Sequence, residues 1–350
     1  MKNKNFFKIS MIYFIAMICV AVIFVLGYLG VLQNDILSSF LIQIVVMFAI
    51  PMLMYTLLVS KNFKKTFTDA GFNKISGTMI GISILLGFVL YFINSFVADV
   101  FASLISLFGY ESIGTTTTVT LDYAYLLKDF VLSAVLPGFC EEFLHRGILL
   151  HAGKKSGNPR YVLIISSILF GLMHLNINQF FYAAILGLLM GYVALISNSI
   201  FPSMIIHFMN NFLSSYFVYG YYLNWPFAVA VNNLRAFLMS NLFVFIITCS
   251  ILVILLVIAY IYLTRWLIKE RARRDVKKII EYLELNSLPI NEAQEKINQA
   301  NILIQQSKMM NLKTNVPGGT KFSFTDNIFV ISSFVLGGLI TICSFIWGVI

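Results

Sequence analysis

Nine stretches of this chain are too apolar and too long to be left in water, and they constrain its fold more than any other feature. They lie near residues 10–32, 37–60, 77–98, 122–150, 161–177, 179–197, 201–222, 241–266 and 327–349. Apolar runs of roughly 18 residues or more read as membrane helices, because each backbone polar group must be satisfied inside the bilayer. Only 11% of the residues are charged and the mean hydropathy is +0.87, which sets aside a soluble globular domain. The sequence therefore predicts an all-α, polytopic integral membrane protein of about nine transmembrane helices. The fifth and sixth stretches are short, and could tilt or partly re-enter.

Basic residues mark the cytoplasmic side. Lys2, Lys4 and Lys8 precede the first stretch, Lys61, Lys64, Lys65 and Lys74 follow the second, Lys154, Lys155 and Arg160 follow the fourth, and a cluster runs from Lys269 to Lys278. The outer loops then hold only Arg235. The expected location is the cell membrane with the N-terminus inside. The net charge of +9 expresses this orientation and contact with anionic lipid; spread over separate loops, it does not suggest nucleic acid. The first stretch is too long for a secretory leader and lacks a small-x-small cleavage site, so it is expected to be retained. Cys19, Cys140, Cys249 and Cys343 all fall in apolar stretches without a C-x-x-C pair, so no disulfide framework or zinc ribbon is expected.

Three regions differ in character. Residues 1–120 read as a transmembrane scaffold without intramembrane charge, ending in the outer loop "ISLFGYESIGTTTTVT". Residues 121–222 carry nearly all the intramembrane polar groups. An eighth span with its preceding outer loop covers 223–266, and 327–350 form a last span. Between them, residues 267–326 read as a small basic cytoplasmic helical insert, its two amphipathic stretches separated by "SLPI" and closed by "NVPGG".

Ionisable groups inside a bilayer cost at least ~2.5–3.5 kcal/mol each, so they mark a functional site. In "PGFCEEFLHRG", Glu142 and Arg146 are four apart and share a helix face. Glu141 points about 100° away from Glu142. Lys128 and Asp129, nearer the outer end, could pair with each other or reach the interface. Phe170 and His174 make a second one-face pair, His207 and Asn211 a third. Counted by helix rise, Glu141 lies roughly 20 Å from Lys154 and His174 roughly 21 Å from Arg160, while His207 and Asn211 lie about 8 and 14 Å past Pro202. These depths let all four meet in a cavity opening to the cytoplasm. His145 and His151 read as structural, and Gly187 with Gly191 as a G-x-x-x-G for internal helix packing.

A carboxylate and a neutral imidazole sharing a water can make a nucleophile. A second imidazole and a carboxamide can donate to a developing oxyanion. Glu141, His174 and His207 could equally supply a catalytic Zn2+ site, although H-E-x-x-H is absent. Non-catalytic readings use the same groups: a membrane binding or immunity module, or a proton-coupled transporter. No inverted repeat or broken-helix pair favours the transporter.

E-E-x-x-x-R at Glu141–Arg146, F-x-x-x-H at Phe170–His174 and H-x-x-x-N at His207–Asn211, in that order on separate membrane helices, resemble the CPBP family of intramembrane proteases. That family includes CAAX prenyl endopeptidases and bacterial members linked to bacteriocin self-immunity and lysostaphin resistance. The resemblance covers roughly residues 121–222. It implies that Glu141 and His174 activate the attacking water, that His207 and Asn211 stabilise the oxyanion, that Arg146 holds Glu142, and that Phe170 shapes the pocket. The implied partner is a membrane-associated peptide or protein, CAAX-type prenylated or other. Metal-dependent and metal-free glutamate mechanisms both fit it.

Overall fold

The computed structural model describes residues 4–111, 123–155, 158–285, 290–309 and 323–349. The described residues contain helices and no strand. In chain order they are α1 (Lys4–Tyr28), α2 (Asp35–Ser60), the short α3 (Phe63–Asp69), α4 (Gly77–Ser106), α5 (123–152), α6 (Pro159–Leu172), α7 (Ile177–Ser197), α8 (Phe201–Tyr222), α9 (Pro226–Met239), α10 (Leu242–Leu285), α11 (Ile290–Met309) and α12 (Phe324–Val349). Stretches 112–122, with most of the expected outer loop, 286–289, with most of "SLPI", and 310–322, with "NVPGG", lie outside the described residues, as does Lys2.

Six of these helices are long and apolar enough to cross a membrane: α1, α2, α4, α7, residues Phe243–Tyr282 of α10, and α12. The other three stretches expected to span are helical but do not join that set. Helix α5 bears Lys128, Asp129, Glu141, Glu142 and Arg146, α6 has 14 residues, and α8 carries His207, Asn210 and Asn211. The helices that fall short are thus the ones that carry the polar motifs or are shortest.

Two helices are not uniformly α-helical. Helix α2 widens to π-type turns at Leu41–Ala49 and Thr56–Ser60, and α5 at Val131–Val135 and Phe143–Ala152. In each, one wide segment ends two residues before a proline, Pro51 in α2 and Pro137 in α5. Proline cannot donate to the carbonyl four residues back and its ring crowds that carbonyl, so the helix loosens there. Such wide turns recur at functional sites.

One core cluster joins α1, α2, α5 and α6 around Phe6, Tyr13, Met47, Phe143 and Leu169. A second joins α4, α7 and α10 around Leu86, Met190 and Tyr260 and reaches Phe170 and Ile206. Helices α6 and α7 pack as a close hairpin. A Cβ on Gly187 would meet Phe170 and Ser167 at 3.1–3.3 Å, and one on Gly191 would meet Leu163 at 2.6 Å. Both glycines of the G-x-x-x-G therefore face α6, inside the molecule. Helix α10 runs 44 residues without interruption, so the position expected to begin the cytoplasmic insert, residue 267, lies within a continuous helix. Its basic part is tied down: Arg271 donates to the carbonyl of Ile196 at 2.8 Å, Ser76 donates to Glu270 at 3.0 Å, and Arg274 donates to the carbonyl of Lys74. Helix α11 packs back against α10.

Candidate active site

Helix α5 carries both glutamates, and the structure sorts them into different surroundings. Glu142 is fully buried (0% exposed), whereas Glu141 keeps 15% of its side chain exposed. Arg146 Nη1 donates to Glu142 Oε1 at 2.5 Å, the i,i+4 pair expected from spacing. His207 Nδ1, from α8, donates to the same oxygen at 3.0 Å. The Arg146 fork reaches further, Nη2 donating to the carbonyl of Gly187 at 3.2 Å. That approach is possible because Gly187 has no side chain between α7 and α6. One buried arginine thus joins α5 to α7, and one buried carboxylate joins α5 to α8. These charge-assisted bonds satisfy Glu142 Oε1, while its Oε2 and Arg146 Nε are buried without a hydrogen-bond partner among the described residues.

Phe170 is the hub of the site. The Arg146 guanidinium lies over its ring at 4.3 Å. The rings of His145, His174 and His207 meet it edge-on, with centroids at 4.9, 5.2 and 5.7 Å. A phenyl face attracts a cation, and its packing fixes the rotamers of the three imidazoles.

His174 sits in the turn beyond the end of α6. Its Nδ1 donates to the carbonyl of Phe170 at 2.9 Å, so in a neutral ring the lone pair is on Nε2. The next residue, Leu175, is buried with φ +53, a left-handed conformation that a leucine seldom adopts. Glu141 and His174 are expected to share a water, which calls for no direct bond between them. The imidazole that Glu141 approaches is His207, with Nε2 4.0 Å from Oε2. The His174 ring is tied to its own helix end by the bond from Nδ1 to the Phe170 carbonyl.

Asn211 is engaged as well. Its Nδ2 donates to the carbonyl of Ser133 at 2.8 Å, four residues before Pro137. The proline has removed the amide that would ordinarily reach that carbonyl, and the asparagine takes its place. Asn210 donates to Asn211 Oδ1 at 3.1 Å, and Asn94 donates to Asn210 Oδ1 at 3.4 Å. One Nδ2 hydrogen of Asn211 remains for another acceptor. Asp129 does not pair with Lys128. It accepts from Ser133 at 2.8 Å and Ser215 at 3.3 Å, while Lys128 lies over the Tyr125 ring at 4.7 Å. Beside this end of the site is a cavity of about 490 Å3 between α5, α8 and the residue before α9, lined by Leu126, Phe130, Phe212, Tyr216 and Trp225 among others.

Two contacts come from helices that the sequence reading treats as scaffold without chemistry. Gln43, on the wide segment of α2, donates from Nε2 to Glu141 Oε1 at 2.7 Å. The Tyr13 hydroxyl on α1 lies 2.9 Å from His145 Nε2 and 3.0 Å from the carbonyl of Leu169. His145 Nδ1 in turn donates to the backbone carbonyl of Glu141 at 2.8 Å, a structural role. His151, also structural, donates from Nδ1 to the carbonyl of Arg146 at 3.2 Å. Gln43 was visible as a lone amide in an apolar run. Tyr13 carried no signal separating it from the chain's other tyrosines.

Among the described residues, no three His, Cys, Asp or Glu side chains are grouped so that they could hold a metal ion. Glu141, His174 and His207, the candidate zinc donors, form no such group; in both imidazoles Nδ1 makes the hydrogen bond, which leaves Nε2 as the atom that would ligate a metal.

Residues 123–213 match the family model described as Rce1-like, type II CAAX prenyl endopeptidase. The match spans α5 to α8 and includes all three motifs, so it agrees with the resemblance read from them. It covers less than half of the chain and leaves out Tyr13 and Gln43. No curated protein and no solved structure matches the chain. The model that residues 123–213 resemble is that of a family of CAAX prenyl endopeptidases.

Proposed function

We propose that this protein is an intramembrane endopeptidase whose Glu141 activates a water for attack on a peptide carbonyl. The observation that carries this reading is the division of labour between adjacent carboxylates. Glu142 is sealed from solvent and occupied by Arg146 and His207. Glu141 remains part-exposed, with Oε2 beyond hydrogen-bond range of His207. A base needs a lone pair that a water can reach, and Glu141 alone of the two offers one.

In the proposed reaction, Glu141 takes a proton as the water oxygen bonds to the carbonyl carbon and the carbonyl electron pair moves to oxygen. His174, His207 and the free Asn211 N–H surround that oxyanion or steady the water. Collapse expels the amine as Glu141 returns the proton to nitrogen, leaving a carboxylic acid and a free amine; the acid then gives its proton to the amine or to water. The substrate proposed is a membrane-associated peptide, either a prenylated CAAX-type terminus or another membrane-associated segment. Residues 1–120 serve as transmembrane support, and the site opens to the cytoplasm.

The test is hydrolysis by the purified protein in proteoliposomes. Matched prenylated and unprenylated peptides are supplied and products read by mass spectrometry. Cleavage that falls at least ~10²-fold in Glu141→Gln supports the assignment; cleavage undiminished in that variant removes it. A chelator arm, with zinc added back, reports whether a metal takes part.

A further inference from the structure

We propose that Gln43 is a positioning residue for Glu141, holding its carboxyl group in both the charged and the protonated forms that a hydrolytic cycle requires. The proposal rests on the reading of Glu141 as the base. Three observations carry it. Gln43 Nε2 donates to Glu141 Oε1 at 2.7 Å, between helices α2 and α5. The amide is almost wholly enclosed, at 8% exposure. Its other end, Oε1, is buried with no hydrogen-bond partner among the described residues.

A buried acceptor left unpaired costs roughly 1–3 kcal/mol, and Gln43 Oε1 is the one such atom on the amide that touches Glu141. A carboxamide carries a donor and an acceptor on one rigid plane. Toward a carboxylate it presents N–H, as found here. Once Glu141 has taken the proton from water, the carboxyl becomes an O–H donor, and half a turn of the terminal amide bond presents Oε1 to it. The amide is complementary to both states without moving its backbone. Glu141 can thus gain and lose a proton without losing its aim.

The surrounding packing keeps the amide in reach. Phe48, five residues along α2, meets Phe139 at 5.2 Å and Phe143 at 4.9 Å, the aromatic residues two positions either side of Glu141. On the backbone side, His145 Nδ1 holds the Glu141 carbonyl at 2.8 Å. Glu141 is therefore fixed at the main chain by its own helix and at the carboxyl by α2.

The experiment uses the full chain in proteoliposomes with Gln43→Met, which keeps length and lacks the amide. Two quantities are read. The first is hydrolysis of the peptide found to be cleaved: kcat is expected to fall about 10–100-fold, as for misplacement of a reacting group, with KM within about twofold. The second is the infrared band of the Glu141 carboxyl group, identified by subtracting the Glu141→Gln spectrum, which is expected to move when its hydrogen-bond donor is removed. An unmoved band overturns the proposal, as does a kcat equal to that of the unaltered protein. If the unaltered protein cleaves no peptide, the hydrolytic reading falls and the positioning role with it, while the band still judges the bond. Gln43→Asn, one methylene short, reads the same quantities should Gln43→Met fail to accumulate.

Discussion

Glu142 Oε1 receives two donors at once, Arg146 Nη1 at 2.5 Å and His207 Nδ1 at 3.0 Å. The pair Glu142–Arg146 is charged and wholly buried, so its partners are expected to be interdependent. Arg146→Met should destabilise the protein by about 3–5 kcal/mol, because it leaves a carboxylate without its counter-charge. Adding Glu142→Leu should restore much of that loss. Unfolding in mixed detergent micelles measures both, and a double variant no more stable than the single one would refute the arrangement.

The two nitrogens of His207 have separate duties in this geometry. His207→Asn can keep a donor near the Nδ1 position while removing Nε2. It should unfold within about 1 kcal/mol of the parent, the scale of one hydrogen bond, yet lose roughly 10²–10³-fold in hydrolysis. His207→Phe removes both, and should lose stability as well as rate. Equal stability in the two variants would show that the bond to Glu142 contributes nothing.

The link between Asn211 and Pro137 is indirect, through the carbonyl of Ser133. Asn211→Ala should cost about 0.5–1.5 kcal/mol by removing that hydrogen bond. In a Pro137→Ala background the helix can supply its own amide, and the same substitution should cost less by at least ~0.5 kcal/mol. A double-mutant cycle on unfolding free energy decides this; strict additivity would contradict it.

The glycines of α7 are expected to differ. A methyl on Gly187 meets the backbone of Ser167 and the ring of Phe170, whereas one on Gly191 meets the end of the Leu163 side chain. Gly187→Ala should cost about 1–3 kcal/mol and draw the Gly187 carbonyl away from Arg146, reducing hydrolysis. Gly191→Ala should be milder on both counts. Thermal unfolding with parallel peptidase assays separates them.

Much of this was legible from residue spacing. Helix character, the Glu142–Arg146 pair and the inward-facing Gly187 and Gly191 follow from i,i+4 periodicity, which helical geometry preserves even where α5 widens. Span counting was less secure, because α5 and α8 give up apolarity to hold the polar motifs and α6 is only 14 residues long. The neighbour of Glu141 was not readable. Spacing within a helix says which way Glu141 turns and nothing of which helix stands opposite, so Gln43 and His207 could not be read as its neighbours. The left-handed backbone at Leu175 was equally unreadable, because leucine gives no warning of it. Asn211 was read as a free donor, and its tie to Ser133 required knowing that a proline on another helix had stranded that carbonyl.

Gln43 on α2 and Tyr13 on α1 touch the site from outside residues 123–213. The matched segment is accordingly not a portable cassette. A chimera that grafted α5 to α8 onto foreign N-terminal helices would carry every motif residue and still lack the amide against Glu141 and the hydroxyl against His145. Any redesign that transfers the site would have to move α1 and α2 together with the motif helices, so the unit to transfer runs from α1 to the end of α8.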